Sequence, residues 1–514
     1  MIPSEQTGST RGMESMGMHE APRYRRGPAL RMTEDQYARL KAYLFPGDGK
    51  EAVALALCGR AGSVAAFGAD APRVVLAVHE LTLVPYNECD RRPERITWST
   101  GALAPILQKA ARRGMAVVKF HSHMSQYTAF SDTDDASDRK LFEAIDNYVE
   151  GALPHASAVM LPDGSLFGRL VWSDGAFSPI DSVSVVGHDW QVWYADEVQS
   201  GEAQALDGER SSDSASPAFA QRTAQAFGKG TVSKLGRLSI AVIGASGTGS
   251  PTIEMLARLG LGELVIADPE TVEDKNRNRI LHSTPRDARL RKKKVEMLAR
   301  AVRRMGLGTT VVPIAASLWD PGVVSRIAQC DAVIGCMDSV DGRDLLNRLA
   351  TYYSIPYIDI GVLLDADGRG GIDQISGSVH YLYPGGSSLV SRGVFAPDDI
   401  RAAVLYRTEP EAYKVQKEAK YIRGVAEERP AVVSVNMLYA SLGVNELLAR
   451  LHRFRDDPNF RFARTQVSLT QVRMVTESEG PACLRLVSKV GRGDLNPLLD
   501  TPELSVVLEE ATLS

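Results

Sequence analysis

The stretch RLSIAVIGASGTGSPTIEMLARLGLGELVIAD, residues 237–268, decides the fold of the second half of the chain. LSIAVIG is an apolar run of strand length, and the turn after it carries Gly244, Gly247 and Gly249. TIEMLARLGLG then repeats its apolar residues at helical spacing, and ELVIAD is a second strand ending in Asp268. Strand, glycine turn, helix and strand open a doubly wound parallel α/β sheet. Glycines let the backbone approach phosphates closely, and the helix N-terminus behind them offers N–H groups and the positive end of its dipole. A carboxylate about twenty residues after such a turn, here Asp268, commonly grips ribose hydroxyls. This much fits a dinucleotide-dependent dehydrogenase and an ATP-using adenylyltransferase equally.

Three motifs further along the chain separate the two. DPETVEDKNRNRI (268–280), KKKVE (292–296) and VIGCMDSVDGRDLLN (333–347), in that order, resemble the adenylation domain of ubiquitin-activating enzymes and of their bacterial ThiF-type relatives. The resemblance covers 217–450 and implies a Rossmann-like fold that binds ATP and Mg²⁺. It implies that Gly244, Gly247 and Gly249 cradle the nucleotide, Asp268 binds ribose, and Asn276 and Arg279 reach the triphosphate. Lys294 would neutralise phosphate charge as pyrophosphate departs, and Asp338 would position Mg²⁺ and ATP. Arg222, in FAQRTAQAFG, matches an arginine that the family brings to the phosphates, often from the neighbouring subunit of a homodimer. The chemistry agrees. When a carboxylate attacks the α-phosphorus of ATP, arginine, lysine and metal must neutralise the transferring phosphate, and a dehydrogenase needs no such ring of cations.

The first half carries a different constellation, HSHMSQYTAFSDTD over 121–134, with the spacing H-x-H-x7-S-x2-D. AVVKF before it has strand composition, so His121 and His123, two apart on an extended segment, point the same way. DDASDRKLFEAIDNY after it reads as a helix, with Asp134 at its N-terminal end and Ser131 just before. Two imidazoles and a carboxylate at this spacing hold one zinc ion and leave a position free for water. The motif resembles that of the JAMM/MPN (JAB-type) metalloproteases, among them deubiquitinases. This implies that His121, His123 and Asp134 are Zn²⁺ ligands, that Ser131 steadies the oxyanion, and that an upstream glutamate is the general base. Glu51, opening EAVALALCGR, fits that place, and Glu80 is its competitor. Met124 departs from the family, which commonly has proline there.

Composition sets the frame. The chain's 514 residues exceed one ordinary core, and its 44% hydrophobic and 24% charged residues are those of a globular protein. A net charge of −4 argues against a nucleic-acid binder, and no apolar run approaches a membrane span. No secretory signal is evident, and five cysteines without paired spacing fit a cytoplasmic setting. The expected divisions are a disordered tail (1–30), a JAB/MPN domain (31–180), a linker (181–216), a ThiF-type adenylation domain (217–480) and a C-terminal extension (481–514). TEDQ at Thr33 predicts a capping box opening the first helix.

The adenylation pattern breaks in one place. Relatives carry a zinc-binding C-x-x-C after a PGG turn, whereas YPGGSSLVSRGVF has Ser388 and Ser391 there, and only Cys483 remains of a second pair. No cysteine stands where a thioester nucleophile is expected; Cys330 and Cys336 read as core residues. Taken together, the resemblances predict a zinc-dependent (iso)peptidase fused to an ATP-dependent adenylyltransferase, both acting on the C-terminal tail of a ubiquitin-like protein, with a conjugating enzyme as a further partner. Processing of a sulfur-carrier protein for thiocarboxylate formation, or a binding module that has lost transfer activity, are the alternatives.

Overall fold

Side chains along an extended strand alternate between faces, so a strand apolar at every position is covered on both sides. VALALCGRA over Val53–Ala61 is apolar except at Arg60, is buried at every position and lies at the centre of the first sheet. The computed structural model describes residues 26–62, 66–67, 73–149, 153–201, 217–367, 369–419 and 430–505.

The first half contains β1 (Ala29–Thr33), β2 (Val53–Ala61), β3 (Val75–Leu83), the hairpin β4 (Cys89–Arg92) and β5 (Arg95–Trp98), and β6 (Ala116–Ser122). β7 (His155–Met160), β8 (Leu166–Val171), β9 (Phe177–Pro179), β10 (Ser182–Val186) and β11 (Trp190–Tyr194) complete its strands. The helices are α1 (Glu34–Leu44), α2 (Ala104–Arg113), α3 (Asp132–Asp146) and α4 (Ala195–Gln199). Nine strands form one mixed sheet in the order β11-β10-β1-β3-β2-β6-β7-β8-β9, and β4 and β5 pair separately. Ala54, Ala56 and Cys58 of β2 pack with Leu40 and Leu44 of α1. Val53, Leu55 and Leu57 of the same strand face Ile106 of α2 and Leu141, Phe142 and Ile145 of α3. Thr33 caps α1 in a capping box with Gln36, as TEDQ predicts.

The second half begins with α5 (Gln221–Arg237), β12 (Ser239–Ile243), α6 (Gly249–Arg258), β13 (Glu263–Ala267), α7 (Pro285–Arg289), α8 (Lys294–Met305) and β14 (Thr310–Ile314). It continues through α9 (Pro321–Ala328), β15 (Ala332–Gly335), α10 (Val340–Tyr352), β16 (Tyr357–Ala366) and β17 (Ile372–Leu382). Then come α11 (Pro397–Thr408), α12 (Pro410–Glu418), α13 (Val433–Leu451), β18 (Arg464–Ser468) and β19 (Arg473–Glu477). The sheet order is β14-β13-β12-β15-β16-β17-β18-β19. β14 through β16 are parallel, and β17 to β19 add antiparallel strands. Ile240 and Val242 of β12 pack with α6, α8 and α13, while Ala241 and Ile243 pack with α9 and α10. Helices on both faces of a parallel core make this the expected Rossmann-like α/β arrangement, with a topological switch between β12 and β15.

Three expected boundaries move. The linker placed over 181–216 holds β10, β11 and α4, and β10 pairs in parallel with β1 across the sheet. Only 202–216 of that range lies outside the described residues. The bound of the tail expected over 1–30 moves because β1 begins at Ala29, and residues 1–25 of that range lie outside the described residues. The stretch placed as an extension is packed between the halves. Gly491 and Gly493 donate to the carbonyls of Thr351 and Tyr352 at the end of α10, while Asp494 donates to that of Arg60 in β2.

The halves also share a core. Ala29, Ala61 and Val75 pack with Val323, Val324 and Ile327 of α9. Arg31 of β1, 1% exposed, donates to the carbonyls of Ala328, Cys330 and Tyr353. A buried guanidinium is costly unless bonded, and here the other half supplies the acceptors.

Candidate functional site

The register Val53–His121 between β2 and β6, extended by two residues, sets Glu51 beside His123. Ser122 holds the alignment: its N–H donates to the Ala52 carbonyl at 3.2 Å, and its Oγ accepts the Ala52 N–H at 3.0 Å. Ser131 is the N-cap of α3 and Asp134 its third residue, so the S-x2-D of the motif is also a capping box. That cap turns the Asp134 carboxylate back toward the strand, with Oδ1 3.1 Å from His121 Nε2 and Oδ2 3.7 Å from His123 Nε2. One ligand atom from each of the three residues lies within 4.8 Å of the other two.

The donor set fits a divalent zinc. Both ring nitrogens of His121 are buried without a hydrogen-bond partner; the approach to Asp134 is close but not aligned for a bond. Buried polar atoms are nearly always satisfied, so an orphaned imidazole between a second imidazole and a carboxylate points to a cation. His123 Nδ1 is held at 2.9 Å from the carbonyl of Tyr127, which leaves Nε2 as the ligating atom. Burial acts to raise the Asp134 carboxyl, but the two imidazoles and the Ser131 hydroxyl outweigh it and hold it well below the usual carboxylate range.

Glu51 lines the same cleft of about 340 Å³, together with His121, His123, Ser131 and Asp134. Burial raises its carboxyl to about 7, with His123 opposing the shift and Asp134 adding to it. Arg91 fixes the approach to this residue. It donates to the carbonyls of Glu51 and Lys50 at 2.8 and 3.0 Å, and forks onto Asp48 at 2.7 and 3.1 Å. The hairpin bearing it forms one wall of the cleft through Arg95, Ile96 and Trp98. Glu80, the competing base, pairs with Lys109 at the surface and does not line the cleft. The Ser131 hydroxyl donates to Asp134 Oδ2 at 2.7 Å and so orients the carboxylate.

Beneath α3 lies an ion network that sequence reading missed. Asp138, fully buried one turn after Asp134, pairs with Lys119 of β6 and with Arg169 of β8. Arg169 stacks on Phe130 at 3.8 Å and on Phe177 at 3.7 Å. An aspartate at the fourth position after the motif's last residue was the available signal.

The glycine turn of the second constellation lies at the switch point, with Asp268 and Arg279 beside it. Gly244, at φ +94°, passes so close to the chain after β15 that a Cβ there would lie 2.7 Å from the Cys336 oxygen. A Cβ on Gly249 would lie 1.8 Å from the Gly244 oxygen. Asp268 follows β13, and its carboxylate accepts the N–H groups of Ala245 and Glu270, each at 2.8 Å. Asn276 is buried, and its side chain accepts the Glu273 N–H. Arg279 lies beside Gly247. Lys294, buried at the start of α8, pairs with Glu270. Asp338 follows β15 and is exposed. Arg222 is exposed and donates to Gln225 of its own helix. Cys330 and Cys336 are core residues, as their surroundings predict. At the positions where the family resemblance leads one to expect zinc-binding cysteines, Ser388 Oγ donates to Cys483 Sγ at 3.1 Å and the Ser391 N–H donates to Ser388 Oγ.

Comparison with known proteins bears on this second half. The model of the ThiF family matches residues 220–484. The SAMP-activating enzyme E1 of Haloferax volcanii is 31% identical over 148 residues, 29% of this chain and 50% of that protein. The molybdopterin-synthase adenylyltransferase of Salmonella typhimurium is 33% identical over 131 residues, 25% of this chain and 51% of that protein. The adenylyltransferase and sulfurtransferase UBA4 of Meyerozyma guilliermondii is 30% identical over 126 residues, 24% and 29% of the two chains. The chain thus spans about half or less of the length of these relatives. Among solved structures, E. coli MccB with ATP is similar at a TM-score of 0.41 and 16% identity, covering 54% of this chain and 75% of that one.

Proposed function

The chain belongs to the ThiF family through residues 220–484, more than half of its 514 residues, and on that premise we propose that it is a two-site enzyme acting on the C-terminal tail of a ubiquitin-like or sulfur-carrier protein. The second half adenylates the carrier's terminal carboxylate with ATP and Mg²⁺. The first half, in a JAB/MPN metalloprotease fold, hydrolyses the amide bond that blocks or conjugates that tail. The observation that carries the hydrolytic part is the meeting of Glu51 with His121, His123 and Asp134 in one cleft. Relatives named as activating enzymes and adenylyltransferases support the other part.

In the cleft, His121, His123 and Asp134 would hold zinc, which when bound supplies Lewis acidity toward the scissile carbonyl and toward water. Glu51 takes the proton of the attacking water and delivers it to the leaving amine, a task suited to a carboxyl raised to about 7. Ser131 keeps Asp134 turned toward the imidazoles; serving the oxyanion as well requires its hydroxyl to leave that carboxylate. Ile96 and Trp98 offer the incoming tail an apolar wall.

In the second site the carrier's carboxylate attacks the α-phosphorus and pyrophosphate leaves. Arg279 and Lys294 neutralise the leaving charge, Lys294 exchanging Glu270 for phosphate as ATP arrives. Asp268 holds the ribose, Asn276 reaches the triphosphate beside Arg279, and Asp338 positions Mg²⁺ and ATP. Arg222 acts from a second copy in a homodimer through this domain. With four of its five thiols buried and the fifth, Cys89, in the first half, the chain passes the adenylate directly to its acceptor, a conjugating enzyme or a sulfur donor, in a cytoplasmic setting. Similarity to a molybdopterin-synthase adenylyltransferase favours the sulfur-carrier version as the second reading.

The test uses a carrier ending in diglycine, with and without a C-terminal extension. Glu51→Ala abolishes removal of the extension and spares ATP–pyrophosphate exchange with the trimmed carrier; Asp338→Ala does the reverse. If each substitution stops both reactions, or neither stops any, the two-site reading fails.

A further inference from the structure

This inference rests on the nucleotide-binding reading of the second site and extends it to a residue outside the family's motifs. Asn436 stands in the first turn of α13, in the run VVSVNMLYASL, and is 5% exposed. Its neighbours on the helix, Val435, Tyr439 and Ala440, are packed in the core. Its backbone N–H donates to the Val432 carbonyl, but its side-chain amide has no hydrogen-bond partner among the described residues. That amide points at the glycine turn. A Cβ on Gly247 would lie 2.3 Å from Asn436 Nδ2 and 3.1 Å from its Cγ, with Arg279 Cδ at 3.5 Å. Position 247 is therefore glycine because the carboxamide occupies the place a side chain would take.

A carboxamide with no protein partner beside a glycine turn keeps its N–H groups available to a ligand seated there. The turn has two ends. At one, the Ala245 N–H is tied to Asp268, the residue at the ribose side. Asn436 and Arg279 meet at the other, two residues further along. We propose that Asn436 is a phosphate-contacting residue whose amide donates to a non-bridging oxygen at the β,γ end of bound ATP, beside Arg279. A neutral donor there adds direction to the seat without adding charge that would retain pyrophosphate after transfer.

The experiment titrates the full chain with Mg·ATP and separately with AMP, by calorimetry, comparing wild type with Asn436→Ala and Asn436→Asp. The aspartate variant keeps the shape of the side chain and replaces its donor with a charge that repels phosphate, so it serves if the alanine variant folds poorly. Asn436→Ala is expected to weaken ATP about tenfold, the scale of one hydrogen bond to a charged group, and Asn436→Asp to weaken it further, with AMP unchanged in both. Equal weakening of ATP and AMP would mean that Asn436 only supports the turn, and no change in either would mean that it touches no phosphate; both outcomes overturn the proposal. A wild type that binds neither nucleotide overturns the nucleotide-binding reading along with it.

Discussion

The N–H of Gly59, near the end of β2, donates to the carbonyl of Gly491 at 3.0 Å, and a Cβ at position 59 would lie 2.2 Å from the Arg492 carbonyl carbon. The strand that begins just after Glu51 therefore ends against a strap of chain that the other half contributes. The same strap is bonded to the end of α10, the helix whose start lies next to Asp338. Nothing at the contact is a flexible side chain, so a methyl group can be accommodated only by moving backbone. Gly59→Ala should destabilise the protein by about 1–3 kcal/mol, the usual scale of overpacking. Urea unfolding followed by fluorescence measures it, and an unchanged midpoint would show that the strap is not clamped there.

Arg91 touches none of the three candidate ligands, yet it holds the backbone on both sides of Glu51. Arg91→Ala should lower the turnover of tail hydrolysis by one to two orders of magnitude, about the cost of a misplaced base. The bound zinc should be unchanged. Turnover and metal content measured on the same preparation test this, and parallel loss of both would assign Arg91 to general folding.

Asp138 balances Lys119 and Arg169 in the interior beneath α3. Removing one partner of a buried ion pair leaves an uncompensated charge and costs about 3–5 kcal/mol. Asp138→Asn is expected to lose stability on that scale and to weaken zinc binding, since the helix carrying Asp134 rests on this network. Replacing Lys119, Asp138 and Arg169 together by apolar residues should recover most of the stability but not the metal affinity.

Four of the five cysteines are buried, and Cys89 alone is partly exposed. A thiol reagent such as DTNB should therefore titrate one group rapidly in the native protein and all five after denaturation. Rapid reaction of Cys483 in the native state would reopen a thioester route.

Much of the site was legible because its spacings are local. H-x-H on a strand and S-x-x-D at a helix start each fix their geometry within a few residues, and the structure assembles them as that geometry requires. The glycine turn was readable for the same reason. Features that depend on distant partners were not. Ser182–Val186 alternates like a strand and pairs locally with β11, yet its place in the sheet is fixed by β1, some 150 residues earlier, and the polar stretch after it concealed the boundary. Arg31 reads as one more surface arginine until the carbonyls of Ala328, Cys330 and Tyr353 close around it. Asn436 lies nearly two hundred residues from Gly247 in sequence, and an amide in an apolar helical run does not announce a nucleotide.

The most direct test of the central claim, that one tail is served by both sites, is ATP–pyrophosphate exchange driven by a carrier whose terminal glycine is still blocked by an extension. Wild-type protein should support exchange after a lag, Glu51→Gln should support none, and trimmed carrier should restore the variant to the wild-type rate. Equal exchange by Glu51→Gln and wild type on the blocked carrier, or failure of the trimmed carrier to restore it, would contradict the account.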